Sequence, residues 1–489
     1  MRKRRALVWM AIAVLLVLYL GSFLFSYDAL WLRDDPRLMA DVARLAPANV
    51  QEIRQVHSVE DIAAALAEAR AHAWKVSISG SRHSQGGQTY IGNALVLDTR
   101  GFNKVLDVDV ANRTIRVESG ARWKEIQEAI APRGLAIKVM QSSYVFTVGG
   151  TMSANAHGRD LDKTSVVEVV RSFRLMTADG QIHDVSRDNN PDLFKLVIGG
   201  YGMFGVILDV ALDVTGDDVY EQRSVLMNYH AFPEHFATHV KNDPSVRMML
   251  VRPSFASDTF LRELAVTTWS ATDRNPADVH VLTNEEHVLR DKLVFSMSRR
   301  FRWERDLRWS LQKDRELGVG APRIVSRNNA MRPPLAPLEL LDYYSNKDTD
   351  IIQEYYIPIR NFVPFMDRFR DILLERDLNV ISFTIRYVKA NDETYLPYAP
   401  QEDSFAIIQM SNVGLSDSAQ AATEAATQAL VDAAADNGGT YYLTYQLYPT
   451  RAQLSRAYPN VDYVFEQKRK HDPTDMFMSK FYEKYGHAQ

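Results

Sequence analysis

The chain has 489 residues, 46% of them apolar and 24% charged, with a formal net charge of −4. This is the composition of an ordinary globular protein of roughly two or three domains, which excludes wholesale disorder, and its near-balanced charge offers nothing for a nucleic acid to bind. There is no cysteine, so disulfides, thiolate catalysis, CxxC redox chemistry and cysteine-bound zinc are excluded together.

In chain order, Arg2, Lys3, Arg4 and Arg5 form a basic tail, residues 1–5, ahead of an uncharged run, residues 6–25. A helix rising about 1.5 Å per residue over that run covers the roughly 30 Å hydrocarbon layer of a bilayer. Positive residues stay cytoplasmic, so the run reads as a single-pass membrane anchor with the body on the non-cytoplasmic side. A cleaved signal peptide is the alternative, but the run is long for one and its exit lacks a small-x-small site. The Arg4-Arg5 pair also suits a twin-arginine export signal. Residues 26–46 are a polar, proline-punctuated connector.

Ser58 with Asp61 three residues on predicts the start of a helix over residues 59–73. A short apolar strand then runs into VSISGSRHSQGG, residues 76–87, whose glycines allow the close backbone approach and clustered N–H groups that bind anions. The spacing matches neither GxGxxG nor GxxxxGK[ST], so the Rossmann and P-loop mechanisms are unavailable here. Strands are predicted at residues 94–98, 104–110 and 113–118, and a short helix over 123–131 stopped by Pro132 and Gly134. A second glycine-rich stretch follows, TVGGTMSANAHG at residues 147–158, then strands at 165–177 and 181–186 around Asp179-Gly180, the strongest hairpin signal in the chain. The third stretch, GGYGMFGVI at residues 199–207, opens a strand that ends at Gly216-Asp217-Asp218, where the first domain boundary falls.

Three such stretches resemble the FAD-binding domain of the vanillyl-alcohol oxidase and p-cresol methylhydroxylase family, and the motifs are most similar to those of the aldonolactone and alditol oxidases. The resemblance covers roughly residues 47–215, with support from DPxxxF at 472–477. It implies an α+β fold: a two-part FAD-binding domain over residues 47–216, an α+β cap with an antiparallel sheet over 217–439, and a C-terminal segment, 440–489, returning to the FAD domain. It implies FAD as cofactor, held by Ser79, Gly80, Ser81, Arg82, His83 and Ser84 in the first stretch. Thr147, Gly149, Gly150, Ser153, Ala156, His157 and Gly158 serve in the second stretch, and Gly205, Val206 and Ile207 in the third. His83 stands where relatives often bond histidine covalently to the flavin, the alternative being a histidine that only hydrogen-bonds the cofactor or its loop. His157 as a buried structural histidine is likewise open. Ala156 lies where residue size in relatives bears on oxygen access, which favours a dehydrogenase over an oxidase.

In the cap, residues 282–317 read as helical, with Arg290, Lys292, Arg299, Arg300, Arg302, Arg305 and Arg308 interleaved with Phe295, Phe301, Trp303 and Trp309. Such a segment suits anionic headgroups, and a solvated face laced with Glu304, Asp306 and Glu316 is the competing reading. Strands at residues 352–358 and 381–387 carry Glu354 and Arg386. The family resemblance points both at the substrate, where they would polarise a hydroxyl or developing oxyanion as hydride leaves the adjacent carbon; a cross-strand ion pair without chemistry is the alternative. Residues 419–435 form an alanine-rich helix ended by Asn437-Gly438. The sugar-oxidising relatives carry an HWGK segment late in the chain. Here TYYLTYQ, residues 440–446, has no lysine, so a tyrosine hydroxyl, that of Tyr442, takes its place as donor or base. No metal site is expected.

The sequence thus reads as a membrane-anchored FAD-dependent oxidoreductase acting on CH–OH groups of a sugar-like, lactone or lipid-linked small molecule, with electrons passing to oxygen or to a membrane acceptor such as a quinone. A flavin-dependent reductase of a sterol or polyprenyl substrate, or a binding protein retaining the fold, are the alternatives.

Overall fold

Ser58 caps the helix that sequence spacing predicts: its hydroxyl accepts from the Asp61 N–H at 3.0 Å, and Ile62, Ala65, Leu66 and Ala69 bury one face. The computed structural model describes residues 2–28, 37–284, 291, 294–317, 322–332, 345 and 347–487. A first helix, α1 (Arg2–Asp28), precedes α2 (Val59–His72). Strands β1 (Glu52–Gln55), β2 (Val76–Ser79) and β3 (Leu95–Asp98) form a parallel sheet in the order β1-β3-β2. The chain end returns to this sheet: Met476 O accepts from Val76 N at 2.7 Å, and Phe477 is buried with Val76 and Leu97. The aspartate of DPxxxF explains the turn, since its carboxylate accepts from the N–H groups of Met476 and Phe477 at 2.9 and 2.8 Å and pairs with buried Lys468 at 2.5 Å.

Strands β4 (Val105–Asp109), β5 (Thr114–Glu118), β6 (Leu135–Ile137), β7 (Val170–Met176), β8 (Ile182–Ser186) and β9 (Val206–Gly216) make a second, antiparallel sheet in the order β8-β7-β9-β5-β4, with β6 also on β9. The β7–β8 pair turns through Asp179-Gly180 with Gly180 at φ 85°, a left-handed backbone that glycine adopts without a Cβ clash. Helix α3 (Trp123–Ile130) buries Trp123, Ile126 and Ile130. Part of the second glycine stretch is a short helix, α4 (Val148–Ser153).

The third sheet has eight strands: β10 (Val219–Asn228), β11 (Val246–Pro253), β12 (Glu263–Ala271), β13 (Arg323–Ser326), β14 (Asp348–Pro358), β15 (Val380–Val388), β16 (Ser404–Gly414) and β17 (Thr440–Tyr441). Their order is β13-β10-β12-β11-β15-β16-β14-β17, every pairing antiparallel. Residues 440 and 441 therefore belong to this sheet as its edge, two residues beyond the boundary expected at 439. Helices α5 (Arg302–Leu317), α6 (Phe362–Glu375) and α7 (Asp417–Asp436) accompany it. Of the helical region expected over 282–317, residues 291 and 294–296 and α5 are helical, with a 3-10 turn, Met297–Arg299, ahead of α5; residues 282–284 are not helical, and Arg290 and Lys292 lie outside the described residues.

Among the described residues no helix is long and apolar enough to cross a membrane.

Candidate active site

Strand β2 delivers the chain at Gly80 against the start of α4. A Cβ added to Gly80 would lie 2.1 Å from Thr147 Oγ1, so only a glycine lets these two segments meet. Ser81 Oγ donates to Val145 O at 2.6 Å, tying the same two segments together. Arg82 takes a left-handed conformation at φ 59°, and its guanidinium turns to the carboxylate of Asp98 at 2.9 Å. Among the described residues nothing accepts from the backbone N–H groups of residues 81–84, the kind of turn whose free donors bind an anion. The His83 ring stands edge-on to Phe146 at 4.8 Å with Nδ1 unpartnered, and burial lowers its pKa to about 4, so the imidazole is neutral near pH 7. The third stretch closes in from β9, with Gly205 at φ 148° where a Cβ would lie 2.5 Å from Met176 O.

These segments share one cavity of about 770 Å³, within the range of small-molecule and cofactor sites. Of the residues expected at FAD, Gly80, Ser81, Arg82, His83, Ser84, Thr147, Gly149, Gly150, Ser153, Ala156, His157, Gly205 and Ile207 line it. Ser79, Gly158 and Val206 do not. Ser79 is the buried end of β2, where its carbonyl accepts from Thr99 and its hydroxyl from Arg82. Gly158 sits against Met140 O, where a Cβ would be 2.9 Å away, and Val206 packs in the core beside Val76 and Leu208. Each of the three falls on the inward side of a backbone whose neighbours face the cavity.

Glu354, Arg386 and Tyr442 line the same space. Glu354, 2% exposed, has Oε1 against His157 Nε2, and its Oε2 accepts from the Tyr445 hydroxyl at 3.0 Å. Burial alone pushes its carboxyl upward, but the charges of His157 and Arg386 and the bonds from His157 and Tyr445 outweigh it and hold it below the ordinary glutamate value. Arg386 donates from Nη1 to His157 O at 3.2 Å and from Nη2 to Ser142 Oγ, leaving Nε unpartnered. Burial lowers its pKa, against the pull of Glu354.

Two expectations change here. Glu354 and Arg386 are not a cross-strand pair, because β16 lies between their strands: Glu354 sits opposite Ile408, and Arg386 opposite Ala406. Tyr442 is not the tyrosine on the glutamate. Its hydroxyl donates to Ala154 O at 2.9 Å, and burial raises its pKa well above that of free tyrosine. Tyr445 holds that position, and the sequence signal for it was present in the same TYYLTYQ stretch. His157 lines the cavity and also has its Nε2 against Glu354.

The residues fit a flavin dinucleotide. The cavity joins a donor-rich glycine loop to a polar cluster, and the buried polar atoms left without partners include His83 Nδ1, Ser84 Oγ, Ser119 Oγ and Arg386 Nε, all on residues of its wall. Among the described residues no group of acidic and histidine side chains could hold a metal.

Residues 50–186 match the family model described as an FAD binding domain, so the resemblance read from the glycine stretches holds and FAD is the cofactor of this domain. The chain is 31% identical over 196 residues to an uncharacterized oxidoreductase in a fasciation locus of Rhodococcoides fascians, covering 38% of this chain and 43% of that one. It is 30% identical over 138 residues to the decaprenylphosphoryl-beta-D-ribose oxidase of Mycolicibacterium smegmatis, 28% of this chain and 30% of the relative. It is 29% identical over 181 residues to the mitochondrial L-galactono-1,4-lactone dehydrogenase 2 of Oryza sativa subsp. japonica, 37% and 31% of the two. The chain thus spans less than half the length of these relatives.

Proposed function

We propose that this protein is an FAD-dependent oxidoreductase that removes hydride from a hydroxyl-bearing carbon of a sugar-like, lactone or lipid-linked substrate. One observation carries this reading: the three glycine stretches and the Glu354–His157–Tyr445–Arg386 cluster line a single cavity. Bound there, the flavin supplies the hydride acceptor. The loop at residues 80–84, with Thr147, Gly149, Gly150, Ser153 and Gly205, holds the cofactor, and His83, which lines the same cavity with Nδ1 unpartnered, is the residue that would bond the flavin covalently.

Glu354, kept ionised by its partners, takes the hydroxyl proton of the substrate. Arg386, with Nε free, donates to the oxygen as negative charge develops on it. Tyr445 and His157 fix the carboxylate, and Tyr356, Tyr398 and Tyr442 stand around the His157 ring at 5.5, 5.9 and 6.2 Å, excluding water from it.

We also propose that α1 anchors the protein in a membrane, with the body on the non-cytoplasmic face and the electrons passing to a membrane acceptor such as a quinone or to oxygen. Its described apolar side chains support this, with Trp9, Leu15 and Val17 between 66% and 70% exposed. Fractionation tests the anchor: an anchored chain resists alkaline extraction from membranes.

The test of the oxidation is anaerobic bleaching of the flavin bands by a panel of polyols, lactones and prenyl-linked sugars. Purified protein that is colourless and takes up no FAD would refute the whole reading.

A further inference from the structure

Beside the Glu354 cluster the cavity turns strongly cationic. Arg159, Arg252, Arg308 and Arg315 line its wall, with Glu316 and Asp291 the carboxylates facing them there. Arg252 pairs with Glu316 at 2.7 Å. Arg308, 7% exposed, spends Nη1 on Ser298 Oγ and Ile381 O, both at 2.6 Å, and lies over Phe255 and Phe295 at 4.7 and 4.3 Å. Arg159 donates to Ala330 O at 3.0 Å and lies 5.7 Å from the Trp269 ring. Among the described residues neither Arg159 nor Arg308 has a carboxylate within ion-pairing distance.

Burial, then the like charges around them, lowers the pKa of both to about 9: Arg386 and Arg252 act on Arg159, Arg299 and Arg252 on Arg308. Arg252 is thus near both, and Arg159 is near Arg386. Asp350, the other carboxylate near Arg308, is committed to Arg299. Guanidinium groups held out of water without counter-ions cost the fold stability unless an anion completes them.

We propose that this wall is an anion subsite for a phosphoryl group, so that the compound oxidised is a sugar or polyol phosphate, either free or lipid-linked. The inference deepens the oxidoreductase reading and rests on it. A phosphoryl group suits the geometry better than a carboxylate does: the donors come from three separate segments, the turn after Gly158, β11 and α5, and a tetrahedral dianion accepts from several directions where a planar carboxylate is served by one fork.

The experiment uses flavin-loaded protein, in which the residue 80–84 cradle is filled, titrated with inorganic phosphate and pyrophosphate. Heat and tryptophan fluorescence report binding, since Trp269 faces Arg159 and Trp309 adjoins Arg308. Saturable pyrophosphate binding with Kd below about 1 mM, weakened at least about tenfold in Arg308→Gln, is expected. Arg252→Gln, at a half-exposed residue, gives the same test where the buried variant does not fold. No saturable binding, or binding unchanged in Arg252→Gln and Arg159→Gln, overturns the subsite.

Anaerobic bleaching then compares a neutral sugar, its phosphate monoester, and a polyprenyl phosphate sugar in micelles. Preference for the monoester identifies a free sugar phosphate, and response to the micellar compound alone a lipid-linked one. A neutral sugar that bleaches as well as both overturns the subsite and leaves the oxidoreductase reading standing, whereas protein that holds no flavin overturns that reading itself.

Discussion

Glu354→Gln removes one negative charge while keeping the shape of the side chain, which makes it the sharpest probe of the site. Glu354 accepts two bonds, from His157 Nε2 and from Tyr445, and is the carboxylate acting on Arg386. Bonds to a charged group contribute about 1.5–3 kcal/mol and neutral ones about half of that, so retaining both as neutral bonds costs roughly 1.5–3 kcal/mol of stability in all. The catalytic loss is larger, because removing the proton acceptor lowers the rate of hydride transfer by about 10²–10⁴. The two effects separate experimentally: urea unfolding reads the first, and stopped-flow anaerobic bleaching by a saturating substrate reads the second at a temperature where the variant is folded and flavin-loaded. A variant that keeps its flavin and bleaches at the unmutated rate would show that Glu354 is only a structural partner of His157.

Local order was legible where one residue dictates it. Ser58 with Asp61, Asp179-Gly180 and the alanine-rich helix each formed because the cap, the turn or the propensity acts within a few residues. The three glycine stretches were legible for a related reason: glycines that permit close approach leave a compositional mark, and the Gly80–Thr147 contact is what that mark meant. What the sequence could not carry was register across the third sheet. Two strands bearing Glu354 and Arg386 read as neighbours, but β16, contributed from further along the chain, inserts between them. Alternation places a residue on a face without saying which strand stands beside it. The same limit hid Arg159 and Arg252, and hid their grouping with Arg308, which stood out only as part of a basic segment: they become a group only when β11, α5 and the turn after Gly158 converge on one cavity.

Gly80→Ala is expected to abolish FAD retention, measured as the flavin-to-protein absorbance ratio, because the new methyl would stand 2.1 Å from Thr147 Oγ1 and force apart the two segments that form the cradle. Tyr445→Phe is expected to slow flavin bleaching about tenfold or more by removing the bond to Glu354. Tyr442→Phe, which loses only a bond to Ala154 O, slows it less, and the reverse order would return the catalytic role to Tyr442. Acid precipitation is expected to leave flavin on the unmutated polypeptide and to release it from His83→Ala; flavin released from both would reject the covalent bond. His83 also predicts a pH dependence in protein prepared without flavin. Burial lowers its pKa from 6.5 to about 4 in the folded state, so between those values the unfolded chain binds a proton that the folded one does not, and stability falls as pH drops from 6.5 towards 4. At about 1.36 kcal/mol per unit the shift sets an upper bound of roughly 3 kcal/mol. The His83→Gln variant should lose that part of the slope, as read by urea midpoints at pH values across the window. Equal slopes in the two proteins would mean that His83 is solvated, and a solvated imidazole would not be held against Phe146 in the wall of a closed flavin site.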